Sequence, residues 1–321
     1  MAGTPILAPG AVVAVCNCGA SANNTGVGCV YLKQVEKIQW LTSLYDSTGT
    51  PNFIDLTTAI DDTVIKAMIN NVDPLARAYP LPESKNIDDV RDKTVTEDMK
   101  DGTKYFVRLG IRNYTTVFPP ESASPVLDAS LQGFRCYKKL GKYTITADGW
   151  IWGVISADGT KLYPAPIDPG SIAVTPIYTT DTTVQKLQLE YNYHPSFDDR
   201  LVRGIPQPQL GGNINPLDYV GLKTAYIQFV SCTTTQLVVN LLDAFGETLD
   251  PEMISGILIG GFALQNLTTN LAVTIASLDE SPDGTYTFTF TAQTSGNLLQ
   301  LTPTLSGYDW SGVIATNLTV S

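Results

Sequence analysis

Between residues 222 and 321, short runs of alternating apolar and polar residues recur, each closed by a turn signal. The runs are 225–230, 236–242, 271–278, 285–292, 298–304 and 314–320. A period of two puts the apolar side chains on one face of a pleated strand, and that face must be covered. Five or more short strands at roughly 8–12-residue spacing are most economically covered by one another, which predicts a small two-sheet β-sandwich.

Upstream, the same pattern predicts a larger β-rich body. Residues 143–145 and 150–155 flank Asp148-Gly149, and Asp158-Gly159 precedes residues 161–163. Asp-Gly between alternating runs is a strong hairpin signal, because glycine accepts the positive φ of a tight turn. Residues 104–119 set Tyr105, Val107, Leu109 and Ile111 in alternation with Arg108 and Arg112, predicting one strand that ends at Pro119-Pro120. Residues 171–178 and 183–193 predict an antiparallel pair. In the latter, Leu187, Leu189, Tyr191 and Tyr193 alternate with Lys186, Gln188, Glu190 and Asn192, so one face is buried and the other wet. Residues 11–15 are a further strand candidate, residues 19–28 form a loop of small residues, and residues 30–44 suit helix or strand equally.

A helix is predicted over residues 57–70, with Thr57 or Thr58 as N-cap and Asp61 and Asp62 favouring the N-terminal dipole. Ile60, Val64, Ile65, Met68 and Ile69 make one apolar stripe, expected to lie against a sheet. A second, short helix over residues 125–131 opens at Pro125, which suits a first turn. Residues 79–102, with Pro80, Pro82 and many charges, predict a long exposed loop that binds something or orders on assembly. Pro206, Pro208, Gly211 and Gly212 cannot continue a strand interior, so residues 205–219 are expected to be a linker. The predicted division is a body at 1–204, the linker at 205–219 and the sandwich at 220–321.

The chain of 321 residues is long enough for two cores. Only 16% of it is charged, so its polar surface comes largely from Thr, Ser, Asn and Gln, as in sheet-rich proteins that use much of their surface for mutual contact. The net charge of −11 argues against binding nucleic-acid phosphates, which needs clustered Lys and Arg. It does not exclude a protein that lets DNA pass without holding it. No run approaches the ~20 apolar residues of a membrane span. Met1-Ala2-Gly3-Thr4-Pro5 lacks the basic opening of a signal peptide, which predicts a soluble intracellular origin and no membrane partner. Five cysteines, Cys16, Cys18, Cys29, Cys136 and Cys232, are odd in number, and Cys232 is alone in the predicted sandwich. Disulfides are not expected to hold this fold.

No set of residues carries an expected catalytic, cofactor or metal site. Cys16, Cys18 and Cys29 could begin a zinc or iron site, but a closed tetrahedral site needs a fourth close ligand, and buried thiols are the preferred reading. His194 is the sole imidazole and lacks a nucleophile-elbow partner, which predicts a strand-end His bonded to backbone or water and argues against an enzyme. The pairs Asp61-Asp62, Asp88-Asp89 and Asp198-Asp199 read as caps and turns, since neighbours on one element point apart; calcium between subunits is the alternative. Asn23, Asn113, Asn266 and Asn317 head glycosylation acceptor triplets, read as chance matches in an Asn/Thr-rich chain. Trp150, Trp152 and Trp310 could line a carbohydrate site, against the packing role such residues usually have.

The segment Asp283-Gly284-Thr285-Tyr286-Thr287-Phe288-Thr289-Phe290-Thr291, followed by residues 298–305 and Gly307-Tyr308-Asp309, resembles the bacterial and phage Ig-like add-on domains that decorate virions. The body, with strands over 104–119, 141–163 and 171–193 and a flanking helix over 57–70, is similar in layout to tail-tube proteins of tailed bacteriophages. The fold expected is therefore mainly β, a sandwich or barrel-like body with one or two helices and a long loop, followed by an Ig-like sandwich. The resemblance implies a virion structural subunit assembled in the host bacterial cytoplasm. Copies would form rings, hexameric by analogy, that stack into a tube traversed by DNA without specific binding, with other virion proteins as partners and the Ig-like part outermost. A capsid decoration or head–tail connector protein is the alternative of the same class. A carbohydrate-binding or adhesive surface module is the alternative of another class.

Overall fold

The computed structural model describes residues 35–108, 110–243, 252–281, 284–303, 307–309 and 318–320. The expected strand at 11–15, the loop at 19–28, Cys16, Cys18, Cys29, Asn23, Leu109, Asp283, Trp310 and Asn317 lie outside the described residues. The fold is mainly β, with two α-helices among the described residues, α1 (Asp62–Ile69) and α2 (Pro125–Gly133). The chain divides into two compact units, Met1–Val220 and Gly221–Ser321.

The first unit is built on an eight-stranded sheet and a four-stranded sheet. In the larger, Glu36–Ser43 pairs with Leu140–Thr146, which continues through Ile151–Ile155 to Lys161–Tyr163; Ala165–Ile167 and Val202–Ile205 pair on its flanks. Residues 30–44 thus resolve in part as a strand, fully paired and almost wholly buried. The Asp148-Gly149 and Asp158-Gly159 turns fall where expected, and Gly149 takes φ 74°. In the smaller sheet the order is Ala173–Ile177, Lys186–Asn192, Arg112–Phe118 and Lys85–Arg91, all antiparallel. Leu187, Leu189, Tyr191 and Tyr193 are buried, as their alternation requires. They pack with Tyr114, Phe118, Leu41, Leu140, Ile167 and Leu131 of α2 into one core between the sheets.

The opposite face of the large sheet carries Ile38 and Trp40, which alternate with Gln39 and Leu41. Trp40 meets the Tyr219 ring edge-on at 6.2 Å, and Tyr219 Oη donates to Asp62 of α1 at 2.8 Å, which places α1 on this side. The helix starts later than expected: Asp61, not Thr57 or Thr58, is the N-cap, accepting from the Val64 amide. Ile60 is buried ahead of the helix, and Ile65 and Ile69 are its buried stripe. The second helix follows Ser124 as N-cap, with Pro125 in its first turn.

Three expectations for this unit need correction. Residues 205–219 are not a free linker: Ile205 belongs to a sheet strand, Leu210 and Pro216 are buried, and the Gly211 amide donates to Ile60. Short 3₁₀ turns let this Pro/Gly-rich strap cover the Trp40 face without ladder donors. Residues 79–102 are not an irregular loop either: Lys85–Arg91 is an edge strand, and Val95–Asp98 pairs with Lys104–Arg108 as a separate ribbon. The single strand expected over 104–119 is accordingly two, Lys104–Arg108 and Arg112–Phe118.

The second unit is a sandwich. One sheet orders Ile275–Glu280, Thr285–Phe290, Gln236–Asp243 and Lys223–Cys232, the last joined in parallel by Tyr308–Asp309; the other orders Leu271–Val273, Phe262–Asn266, Leu298–Pro303 and Leu318–Thr319. Lettered along the chain, these sheets read D-E-B-A and C′-C-F-G, the arrangement of an immunoglobulin-type sandwich. Leu237, Val239, Tyr286 and Phe288 face Phe262, Leu264, Leu299 and Leu301 across the core. The expected strand 271–278 is split, its halves lying in opposite sheets. Val273 and Leu278 have opposite parity, so one straight strand could not turn both inward, and the chain bends between the sheets instead.

Asp158 illustrates how the turns are fixed. Its carboxylate accepts from the hydroxyls of Ser156 and Thr160 and from the Thr160 amide, which holds its pKa at about 2 against an ordinary 3.8. A depressed carboxyl pKa stabilises the fold above the unfolded value and loses that contribution as pH falls toward 2. An NMR titration of Asp158 is expected to give a midpoint near 2, and Ser156→Ala is expected to move it upward.

Candidate functional site

Two features of the first unit stand out from ordinary packing. The first lies between the sheets. Lys142 is fully buried, because its strand is covered on both faces. Its Nζ lies 3.3 and 3.4 Å from the two carboxylate oxygens of Glu36. The same nitrogen sits over the rings of Tyr114 at 3.5 Å, Tyr193 at 5.3 Å and Tyr191 at 5.4 Å. Tyr114 Oη donates to Glu36 at 2.9 Å, and Tyr191 Oη donates to Gln39 at 2.7 Å. A buried ammonium is tolerable only with a counter-ion and further polar partners, and aromatic faces add cation–π attraction.

Local backbone geometry makes this pairing possible. A β-bulge between Glu36 and Ile38 breaks the alternation, turning Glu36 to the same side as Gln39 and Leu41. Burial and the neighbouring Glu36 charge raise the Tyr114 pKa well above its ordinary value; burial does the same for Tyr191 and Tyr193. The tyrosines therefore remain neutral donors across the physiological range.

The second feature is the ribbon formed by Val95–Asp98 and Lys104–Arg108, in which every residue is exposed. Tyr105 is 57%, Phe106 64% and Val107 53% exposed, and Val95, Met99 and Ile111 extend the apolar surface. Phe106 lies opposite Thr96 and Tyr105 opposite Glu97, so large apolar groups emerge from both faces of the ribbon. Three consecutive exposed large apolar residues are unusual on a soluble surface unless they serve a function. Residues 91–112 hold six Lys/Arg against four Asp/Glu, whereas the rest of the chain holds fourteen against twenty-seven. The ribbon itself, residues 95–108, holds three of each and is charge-balanced on an acidic protein; the excess lies at its neck, in Arg91, Lys93 and Arg112 against Asp92.

A compact ionic cluster joins these two features. Arg112 forks onto Asp89 with contacts of 2.6 and 2.8 Å and also donates to Asp199. Arg91 reaches Asp199 at 2.6 Å. The Arg112 guanidinium lies over Tyr193 at 4.6 Å and Phe197 at 5.2 Å. Burial works to lower its pKa, but the Asp89 hydrogen bonds and the Asp89 and Asp199 charges outweigh it and raise the pKa above the usual value.

The residues singled out in the sequence fall elsewhere or into other roles. His194 is exposed, its Nδ1 2.7 Å from Ser196 Oγ and accepting from the Ser196 amide. Asp61 caps α1, Asp62 pairs with Lys66 and Tyr219, and Asp198 caps a turn and pairs with Arg200. Asp88 is exposed while Asp89 turns to Arg112, the divergence expected of neighbours in a strand. Among the described residues, no group of three or more His, Cys, Asp or Glu is gathered to hold a metal ion. Cys136 is exposed; Cys232 is buried, which pushes its thiol pKa up. Asn266 is buried with its carboxamide bonded to Gln293, Thr268 and Thr269. Trp150 and Trp152 stack on each other at 5.8 Å, both half-buried.

Sequence reasoning missed Lys142, Glu36 and the Arg91–Arg112–Asp199 grouping. A lone lysine in the otherwise uncharged run Leu140–Thr146 was the available signal for the first. The others depend on a bulge and on long-range register, which carry no local mark. Comparison with protein-family models finds no match, and comparison with curated proteins finds no relative.

Lys142→Met is expected to cost about 3–5 kcal/mol, because Glu36 stays buried without the ammonium. Adding Glu36→Gln should recover much of that loss. Urea unfolding of both single variants and the double variant measures the coupling.

Proposed function

We propose that this chain is a structural subunit of a bacteriophage virion, a tail-tube-type protein whose first unit self-associates into stacked rings around a conduit for DNA. The observation that carries this reading is the ribbon with Tyr105, Phe106 and Val107 exposed together. Its occupant is a second copy of the chain: an apolar projection with balanced charge over residues 95–108 approaches the acidic remainder of its own kind without the repulsion two acidic surfaces would meet. A contact between two different surfaces of identical subunits is heterologous, and repetition of it gives rings or filaments rather than a closed dimer.

The four-stranded sheet supports the same reading. Its outer strands, Lys85–Arg91 and Ala173–Ile177, each leave one edge unpaired within the sheet, available for strand-to-strand addition between copies. Its outward face presents Thr115, Asn113, Thr175, Gln188 and Asn192, with Asp88 and Glu190 balanced by Lys85 and Lys186 and with Val90 exposed on the edge strand. A largely polar wall without net positive charge is suited to passing DNA, since it offers phosphates no basic cluster to bind. The Ig-like unit is then an accessory module outside the assembly machinery.

Light scattering and negative-stain microscopy of the full chain at rising concentration are expected to show rings or tubes; a monomer at every concentration sinks the reading. Phe106→Asp should raise the concentration for half-assembly by at least about tenfold, the effect of losing an apolar anchor worth about 1.4 kcal/mol or more, with the monomer still folded by circular dichroism.

A further inference from the structure

The ribbon has no core contact of its own, since all residues of Val95–Asp98 and Lys104–Arg108 are exposed. A two-stranded ribbon of this kind is marginal in water. What sets its direction must therefore act at its neck, where residues 91–92 leave the small sheet and residues 110–112 return to it. A β-carbon at Gly110 would fall on the Asp92 carbonyl, so the two legs are as close there as backbones can come. The Asp92 amide donates to Ile111 at 2.8 Å, and Arg91 Nη1 donates across the neck to the Gly110 carbonyl at 2.9 Å.

One carboxylate grips both legs. Asp199 accepts from Arg91 on the outgoing leg and from Arg112 on the returning leg. It is delivered by the short turn Asp199–Leu201, which Asp198 caps by accepting from the Arg200 amide. Arg112 is in turn fixed by its fork onto Asp89 and by the Tyr193 and Phe197 rings. The charged groups facing Asp199 are thus two guanidiniums belonging to opposite sides of one hairpin root.

We propose that Asp199 is a latch that fixes the pose of the ribbon before it meets a second copy of the chain. This rests on the assembly reading above for its consequence, though not for its geometry. A projection already held in its docking pose avoids the ordering cost that weakens association of loose segments. The latch is ionic and Asp199 is partly exposed, so salt should loosen it.

The test is amide hydrogen exchange of the full chain below its assembly concentration, with assembly measured in parallel. Asp199→Asn is expected to speed exchange at residues 95–108 by about tenfold while Leu187–Tyr191 keeps its protection, and to raise the half-assembly concentration. Asp198→Asn, which keeps the cap and removes a neighbouring charge, should change neither. If Asp199→Asn lowers protection across the whole sheet, Arg91→Met, which removes the outgoing leg's contact with Asp199 together with its bond to Gly110, takes its place with the same readouts. Unchanged exchange in the ribbon overturns the latch. Faster ribbon exchange with unchanged assembly upholds the latch and overturns the ribbon as the docking element.

Discussion

A lysine ammonium buried between two sheets decides how the first unit must be put together. Lys142 comes from the large sheet, while Tyr114, Tyr191 and Tyr193, whose rings surround it, come from the small sheet and the chain that leaves it. Burying such a group without a counter-ion would cost several kcal/mol, more than most single contacts return. Glu36 supplies the charge, and it can do so only because a bulge rotates it inward. The two sheets are therefore not free to slide on an apolar interface: the register that brings Tyr114 to Glu36 is the one that satisfies the ammonium. Apolar packing of Phe118, Leu187 and Leu189 supplies adhesion, and the ionic centre selects one alignment among many apolar ones.

The opposite side of the large sheet is organised differently. There the cover is α1 and the strap over residues 205–219, tied by Tyr219 to Asp62 and by the Gly211 amide to Ile60. Prolines and glycines that exclude a strand do not exclude a packed segment. Their backbones need few ladder partners, which suits them to lie across a sheet face in short 3₁₀ turns. Charge is spread unevenly: the acidic excess resides outside residues 91–112, and the ribbon over residues 95–108 is balanced. Under the proposed assembly, a charge-balanced projection would meet less long-range repulsion from other copies of a protein of net charge −11 than an acidic one.

Much of the fold was legible because period-two alternation is local. The Lys186–Asn192 strand, expected over 183–193, the Asp148-Gly149 and Asp158-Gly159 turns and most sandwich strands follow from residues a few positions apart. The helix was legible in its stripe, but its start was misplaced, since Thr57, Thr58 and Asp61 can all cap and only tertiary packing chose among them. The ribbon of Val95–Asp98 with Lys104–Arg108 was half legible: the alternation of its second strand was read as part of one strand over 104–119, while the first, with its exposed charges, carries no core-facing pattern. The site fared worst. Glu36 and Lys142 stand 106 positions apart, and Arg112 and Asp199 87 apart, so neither pairing leaves a trace in any short window.

Those two pairings are nonetheless one physical system. Tyr193 lies within 5.3 Å of the Lys142 nitrogen, donates to Asp89 at 3.3 Å, and carries the Arg112 guanidinium on its ring. Asp89 holds Arg112, and Arg112 shares Asp199 with Arg91 at the root of the ribbon. The chain of contacts runs without a gap from the fully buried ammonium to the neck of the most exposed element of the unit. Each link is a charged or ring contact whose geometry depends on the one before, so the root of the ribbon is anchored to the centre that fixes sheet alignment. A ribbon with no core contacts of its own thereby takes its position from the fully buried ionic centre, which is what the proposed docking of one copy on another at a fixed angle would require.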